Sequence, residues 1–150
     1  MIKRIKNALL GIGNDLRGDD GAGSFIAQNF YHKNWFNIDG KSAPENCTSI
    51  IKRIKPSLLV IIDAAYLSLD TGNFRLISPD KITSLQLSTH SMPLHLLIEY
   101  ISPYCQKILV IGIQPLNTKL GDDLSKPVLK SCNEIINILK NNKIESIPEI

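Results

Sequence analysis

The chain has 150 residues, an ordinary length for one domain with a single core, and we predict one domain over residues 1–150. Its net charge of +3 is spread among scattered lysines, which argues against a nucleic-acid partner. The longest aliphatic run, residues 58–62, is much shorter than the roughly 20 apolar residues of a transmembrane helix, so we expect no membrane partner either.

The N-terminal segment and the cysteines indicate the compartment. Basic residues precede an apolar run at residues 8–12, but the run is too short for a secretory signal and no small-residue cleavage site follows it. The cysteines are odd in number and form no C-x-x-C pair, so neither a disulfide framework nor a zinc knuckle is indicated. We therefore expect a cytoplasmic protein.

Five short runs rich in isoleucine, valine and leucine predict strands of a sheet that is covered on both faces. In chain order they are residues 8–12, 35–38, 58–62, 74–77 and 108–113. Helical patterns lie between most of these runs. The order β-α-β-α-β-β-α-β-α predicts an α/β fold with a largely parallel sheet and helices on both faces, and the direct step from the third strand to the fourth allows one antiparallel strand.

Three helices are predicted from apolar residues at helical spacing. A capping-box pattern from Ser42 to Glu45 begins the first, whose apolar positions run to residue 54. The other two cover residues 94–101 and 128–139. Cys47 and Cys132 fall on the apolar faces of these helices, so we interpret them as small buried hydrophobes. Residues 141–150 are predicted to be a tail, either frayed or docked.

The stretch GNDLRGDDGAG, residues 13–23, combines four glycines with three aspartates directly after the first strand. It fails as a dinucleotide fingerprint, because Leu16 stands where the third glycine belongs, and it lacks the G-K-[ST] of a P-loop. Its carboxylates would repel a phosphate but would suit a cation. Open α/β sheets carry their sites beyond the carboxyl ends of their strands, so this loop should lie close to Asp63 and His90, which follow later strands.

Two aspartates are candidate ligands, and each has a structural alternative. Asp20 could cap a helix that begins near Gly21, a use of aspartate worth about 1 kcal/mol. Asp63 ends the most aliphatic run, where a buried carboxylate is costly unless it has a metal, a proton or a partner such as Arg17.

His90 is the third candidate, in the segment STHSMP before a predicted helix. A lone histidine is more often a structural or surface residue, but with Asp20 and Asp63 it would complete a site for a divalent ion such as Mn, Fe, Ni or Zn. The ligand types alone do not select among these metals. Because H-E-x-x-H and G-x-S-x-G are absent, we expect the chemistry to depend on the metal.

Five motifs in this order, GNDLRGDDGAG, IDGKSAPEN, VIIDAA, THSMPL and ILVIGIQP, resemble those of the [NiFe]-hydrogenase maturation endopeptidases. The similarity extends over residues 8–139 and is greatest to the branch that processes the large subunit of formate-hydrogenlyase-type hydrogenases, where the first acidic ligand is aspartate. It implies a three-layer αβα sandwich with a five-stranded, mostly parallel twisted sheet.

The resemblance also implies an activity and a partner. Such enzymes remove the C-terminal extension of a [NiFe]-hydrogenase large-subunit precursor after nickel insertion. Asp20, Asp63 and His90 match the family's metal-contacting residues, and we predict that they form both the metal site and the catalytic site. The nickel would be supplied by the substrate. The glycines would let the loop approach a bulky protein. Asp19 would have a capping or orienting role beside Asp20.

The residues leave the mechanism and the class of function open. Nickel could polarise the scissile carbonyl or lower the pKa of the attacking water, or it could only position the bond while Asp63 or Asp20 acts as the base. A nickel-dependent checkpoint or chaperone that binds the precursor without cutting it would need the same ligands. A small-molecule metallohydrolase on the same fold is a third alternative.

Overall fold

The structure is a computed structural model that describes residues 6–87 and 92–150. Helices and strands alternate along the chain as predicted. The strands are β1 (Asn7–Ile12), β2 (Trp35–Lys41), β3 (Leu58–Tyr66), β4 (Phe74–Leu76), β5 (Gln86–Leu87) and β6 (Lys107–Ile113). The α-helices are α1 (Ala22–Asn29), α2 (Thr48–Ile54), α3 (Leu94–Ile101) and α4 (Lys126–Lys140).

The strands form one mostly parallel sheet in the order β2-β1-β3-β6-β4. β1 pairs in parallel with β2 and β3, and β3 pairs in parallel with β6. β4 runs antiparallel to β6. All five predicted strands are therefore confirmed. The sequence does not predict β5, which has two residues, too few to show a hydrophobic period, and which pairs antiparallel with the end of β3.

Side chains of the central strands alternate between two cores, one on each face of the sheet. In β1, Leu10 packs in the core that includes Ile51 of α2 and Leu97 of α3, whereas Leu9 packs with Ile26 of α1 and Ile135 of α4. Because α1 also contacts α4 and α2 contacts α3, the fold is a three-layer αβα sandwich. In the described part of the chain, no helix has the length and apolar character needed to cross a membrane.

The start of the second helical segment differs from the prediction. A 3₁₀ turn, Pro44–Cys47, precedes α2, and its N-cap residue is Ala43, which makes no side-chain capping bond. Pro44 occupies the first turn, where its missing N–H costs nothing and its fixed φ fits a helix start. The capping box predicted from Ser42 is therefore wrong, although the helical segment itself is present.

The C-terminal tail is docked on the outer edge of the sheet. Ile144 and Ile147 are buried in the core that contains α4. The Leu76 N–H donates a 2.9 Å hydrogen bond to the Pro148 carbonyl, and the Ile150 N–H donates one of 2.9 Å to the Leu76 carbonyl. The tail therefore covers the edge of β4 that β6 leaves open.

Candidate active site

Two glycines allow α1 to pack directly on the sheet. A β-carbon on Gly23, in the first turn of α1, would lie closer than 3.0 Å to the carbonyl oxygens of both Ile12 and Ile62. A β-carbon on Gly11 would be equally close to the carbonyl oxygen of Gly23. Since a side chain at either position would clash with backbone atoms, glycine is what allows the start of α1 to lie against β1 and β3.

Asp20 lies in a 3₁₀ turn, Gly18–Gly21, which ends the glycine-rich loop of residues 13–21 and leads into α1. It is 5% exposed, and its Oδ2 accepts a 3.0 Å hydrogen bond from the Asn14 N–H. The N-cap residue of α1 is Gly21, so the alternative in which Asp20 caps this helix is wrong. Its carboxylate instead binds the backbone of the glycine-rich loop.

Asp63 lies within β3 rather than after it, because the strand continues to Tyr66. It is completely buried and pairs with Gly112 of β6 in the parallel ladder. The structural alternative predicted for Asp63 is an ion pair with Arg17. Arg17 is exposed on the glycine-rich loop, which does not favour a contact with a carboxylate that has no exposed surface.

The fold brings together the elements that carry the two aspartates. The 3₁₀ turn that holds Asp20 contacts β3, which holds Asp63. Close to this contact, Gly23 approaches Ile62, the residue directly before Asp63. Two buried carboxylates in contacting elements supply oxygen ligands of the kind that divalent cations accept.

The third predicted site residue, His90, lies outside the described residues, so its place in the site stays a prediction. Over residues 6–87 and 92–150, no three side chains of histidine, cysteine, aspartate or glutamate are grouped as a metal site. The metal site predicted from Asp20, Asp63 and His90 is therefore a hypothesis that depends on the position of His90.

Asp19 connects the glycine-rich loop to the loop between β6 and α4, residues 114–125. Its carboxylate accepts hydrogen bonds from the N–H groups of Leu116 (2.9 Å), Asn117 (3.2 Å) and Ser125 (2.7 Å), and from the Ser125 hydroxyl (2.8 Å). The Asp19 N–H donates a 2.7 Å hydrogen bond to the Asn117 carbonyl. No motif in the sequence indicates these partners.

A second polar network joins α1, β2 and the glycine-rich loop. Asp39 accepts 2.9 Å hydrogen bonds from the Ser24 hydroxyl and the Gln28 amide, and Lys41 lies 3.5 Å from Asp39 and 3.4 Å from Asp15. Burial alone would raise the pKa of Asp39. The hydrogen bonds from Gln28 and Ser24 and the charge of Lys41 outweigh burial and lower that pKa. The charge of Asp39 in turn raises the pKa of Lys41.

The cysteines do not have the character of catalytic nucleophiles. Burial raises the pKa of Cys132 to about 12 and that of Cys105 to about 11. Burial also raises the pKa of Cys47. Because the thiolate is the reactive form, all three thiols are held in their inert state. Cys132 has no exposed surface, which confirms its interpretation as a buried hydrophobe, whereas Cys47 is only partly buried against the core.

Two surface pockets lined by described residues contain neither Asp20 nor Asp63. A pocket of about 140 Å³ adjoins the glycine-rich loop, and its lining includes Asp15, Gly21 and Asp123. A larger one, of about 490 Å³, lies between β4, β6 and the C-terminal segment, and neither Asp20 nor Asp63 lines it. The candidate site is therefore defined by its buried carboxylates and not by either of these two pockets.

Comparison with known proteins decides the family. A family model described as hydrogenase maturation protease matches residues 23–142, which is most of the chain. The chain belongs to the hydrogenase maturation proteases. The resemblance seen in the sequence motifs is thereby confirmed.

Individual relatives of this maturation protease agree with that assignment. It is 40% identical to the hydrogenase 3 maturation protease of Escherichia coli strain K12 over 113 residues, which are 73% of this chain and 72% of that protein. It is 31% identical to a putative hydrogenase maturation protease of Methanocaldococcus jannaschii over 168 aligned positions, which cover 100% of this chain and 95% of the relative.

A solved structure confirms the fold of this maturation protease. The solution structure of the endopeptidase HycI from Escherichia coli matches it with a TM-score of 0.86 at 31% identity, over 96% of each chain. The predicted three-layer sandwich with a mostly parallel sheet is the fold that the two proteins share.

Proposed function

We propose that this maturation protease removes the C-terminal extension of a [NiFe]-hydrogenase large-subunit precursor after nickel has been inserted, and that Asp20, Asp63 and His90 contact the nickel that the precursor carries. The observation that carries the proposal is the burial of Asp20 and Asp63, which are 5% and 0% exposed, in two contacting elements of a protein of this family. The precursor is the only partner that the proposal requires.

The chemistry of the side chains suits this role. Two carboxylates in contacting elements provide negatively charged oxygens, which attract a cation. Carboxylate oxygens and an imidazole nitrogen are ligands that nickel accepts, and they leave positions open for ligands from the precursor. A site that is completed by its substrate would bind only the nickel-loaded precursor, which would make nickel insertion the condition for cleavage.

The cleavage reaction is a peptide-bond hydrolysis. The oxygen of a water molecule attacks the scissile carbonyl carbon, and a base takes one proton from that water. The base then passes the proton to the amide nitrogen as the C–N bond breaks, and the nitrogen leaves as the amine of the released peptide. Nickel on the substrate could assist by polarising the carbonyl or the water. In the alternative arrangement nickel only positions the bond, and Asp63 or Asp20 takes the proton.

The test is the mass of the precursor before and after incubation with the protease. Nickel-loaded and nickel-free precursors are incubated in parallel, and each product is examined by intact-protein mass spectrometry. We expect the loss of one defined C-terminal fragment from the nickel-loaded precursor only. Cleavage of both precursors would contradict the role of nickel, whereas a stable complex of unchanged mass would favour a checkpoint or chaperone that does not cut.

A further inference from the structure

A buried carboxylate beside the candidate site joins two loops that are distant in sequence. Asp19 is 1% exposed, and the residues that donate hydrogen bonds to its carboxylate, Leu116, Asn117 and Ser125, follow it by 97 to 106 positions. Four donors converge on the two oxygens of this one side chain. Asp19 is therefore the side chain through which the glycine-rich loop binds the loop of residues 114–125.

Backbone contacts make the same connection. The Gly18 N–H donates a 2.9 Å hydrogen bond to the Asp122 carbonyl, and the Gly121 N–H donates one of 2.8 Å to the Leu16 carbonyl. Gly18 has a φ of +56°, and a β-carbon there would lie closer than 3.0 Å to the Asn117 carbonyl oxygen. Glycine is thus required at residue 18 for the two loops to lie this close.

We propose that Asp19 is a positioning residue: by binding the loop of residues 114–125, its carboxylate fixes the 3₁₀ turn in the orientation that presents Asp20 to the substrate. The inference rests on the proposed function. Asp19 and Asp20 are consecutive in a turn of four residues, so a rotation that released Asp19 from its donors would also turn Asp20. The hydrogen bond from the Asn14 N–H to Asp20 Oδ2, at 3.0 Å, reports the orientation of Asp20.

The substitution Asp19→Asn separates this role from simple burial. Asparagine keeps the size of the side chain but replaces one acceptor oxygen by an NH₂ group, which only donates. Asp19 Oδ2 accepts from the Leu116 and Asn117 N–H groups and from the Ser125 hydroxyl, while Oδ1 accepts from the Ser125 N–H. The single remaining oxygen cannot accept from the donors of both Oδ1 and Oδ2. The variant therefore loosens the connection between the glycine-rich loop and residues 114–125 without creating a cavity.

The experiment compares the full-length wild-type protein with Asp19→Asn and two control variants. Asp123→Asn makes the same chemical change at an exposed carboxylate of the same loop. Ile144→Val shortens a buried side chain beside the amino ends of β3 and β6, and it controls for a loss of stability alone. If Asp19→Asn lowers the Tm more than Ile144→Val does, Ile144→Ala takes the place of Ile144→Val as the stability control. Cleavage of the nickel-loaded precursor is measured well below the lowest Tm.

We expect Asp19→Asn to lower kcat by roughly tenfold or more while KM changes by less than about threefold, because misplacing a catalytic group slows the chemical step. Both controls should keep the kcat of the wild-type protein. If the kcat of Asp19→Asn equals that of the control with the same Tm, the positioning role is overturned.

A second measurement does not depend on cleavage. Amide hydrogen exchange of the protein alone should be roughly tenfold faster at Asn14 in Asp19→Asn, together with faster exchange at Leu116 and Asn117. Faster exchange at Leu116 and Asn117 with no change at Asn14 would show that Asp19 holds the loop but not Asp20, which would overturn the inference. If the wild-type protein does not cleave the precursor but Asn14 still responds, the proposed function fails while the control of Asp20 by Asp19 stands.

Discussion

Gly23 lies so close to Ile62 that a β-carbon on residue 23 would come within 3.0 Å of the Ile62 carbonyl oxygen. The contact sets the separation between α1 and β3 in the region where the 3₁₀ turn of Asp20 meets the strand of Asp63. The packing of the helix and the geometry of the candidate site therefore depend on the same glycine.

Replacing Gly23 by alanine should disturb both the packing of α1 and the geometry of the candidate site. We expect Gly23→Ala to lower the free energy of unfolding by about 2 kcal/mol or more, because the atoms that the new methyl group meets are backbone atoms, which cannot turn aside as a side chain can. Urea unfolding measures the loss. Gly121→Ala is the control, since nothing lies within 4 Å of a β-carbon there and its cost comes only from a φ of +91°. A loss no greater than that of the control would contradict the steric explanation.

The proposed roles of Asp63 and Asp20 predict a loss of activity without a loss of fold. Asparagine has nearly the size of aspartate, so Asp63→Asn and Asp20→Asn remove the charge and the basic oxygen but little packing. Each should reduce cleavage of the nickel-loaded precursor by roughly 100-fold or more. The control is Asp80→Asn, at an exposed carboxylate in the turn after β4. Full activity in Asp63→Asn would remove Asp63 from the mechanism.

Asp39 should contribute to stability in a pH-dependent way. Its pKa is lowered in the folded protein, so the contribution is complete above the unfolded pKa of about 4 and is lost as the pH falls through the lower folded value. We expect Asp39→Asn to cost about 1 kcal/mol at neutral pH, since the carboxylate is partly exposed, and progressively less below about pH 4. Urea midpoints of both proteins across this range provide the measurement. A difference that is constant with pH would show that the charge of Asp39 is not the cause.

The cysteines should resist alkylation in the folded protein. With a pKa of about 12, the fully buried Cys132 has almost no thiolate at pH 8, and access to it requires unfolding. We expect iodoacetamide to label Cys132 only in denaturant and to leave cleavage unchanged when it is applied to the folded protein. Mass spectrometry of peptides locates the label. Rapid loss of activity in step with labelling would instead indicate an essential thiol.

The docked tail should protect the edge of the sheet. Deletion of residues 148–150 would remove the hydrogen bonds that Pro148 and Ile150 form with Leu76 and Ser78. The exposed edge of β4 could then pair with a second molecule. We expect a lower Tm and concentration-dependent association, measured by light scattering after size-exclusion chromatography. The substitution Glu149→Gln, which keeps the backbone, should leave both properties unchanged.

Local patterns predicted the strands and the edge of the sheet where the candidate site lies. The run of residues 58–62 identifies the central strand, because aliphatic residues on both faces of a strand require a cover on both sides. The same run makes Asp63 conspicuous as a charge at the end of an apolar segment. What the pattern does not show is that β3 continues to Tyr66, because those last residues are held by pairing with Leu87 and Ile113, which lie far away in sequence.

The partners of the other acidic side chains could not be predicted. Asp19 and Asp20 are neighbours of the same type, and only the contacts with residues 116–125 distinguish the one that binds a loop from the one in the candidate site. Ser24 and Gln28 are one helical turn apart, so they share a face of α1 and could bind one acceptor. The sequence does not show that β2, with Asp39, lies beside that face.

The order of the strands also determines when the candidate site can form during synthesis. β6 lies between β3 and β4, so β4 has no neighbour in the sheet until residues 107–113 have been made. The donors that bind Asp19 follow still later, in residues 116–125. Asp20 and Asp63 are synthesised before residues 107–125, but the surroundings that hold them include those later residues. The topology therefore delays assembly of the candidate site until residue 125 has been made.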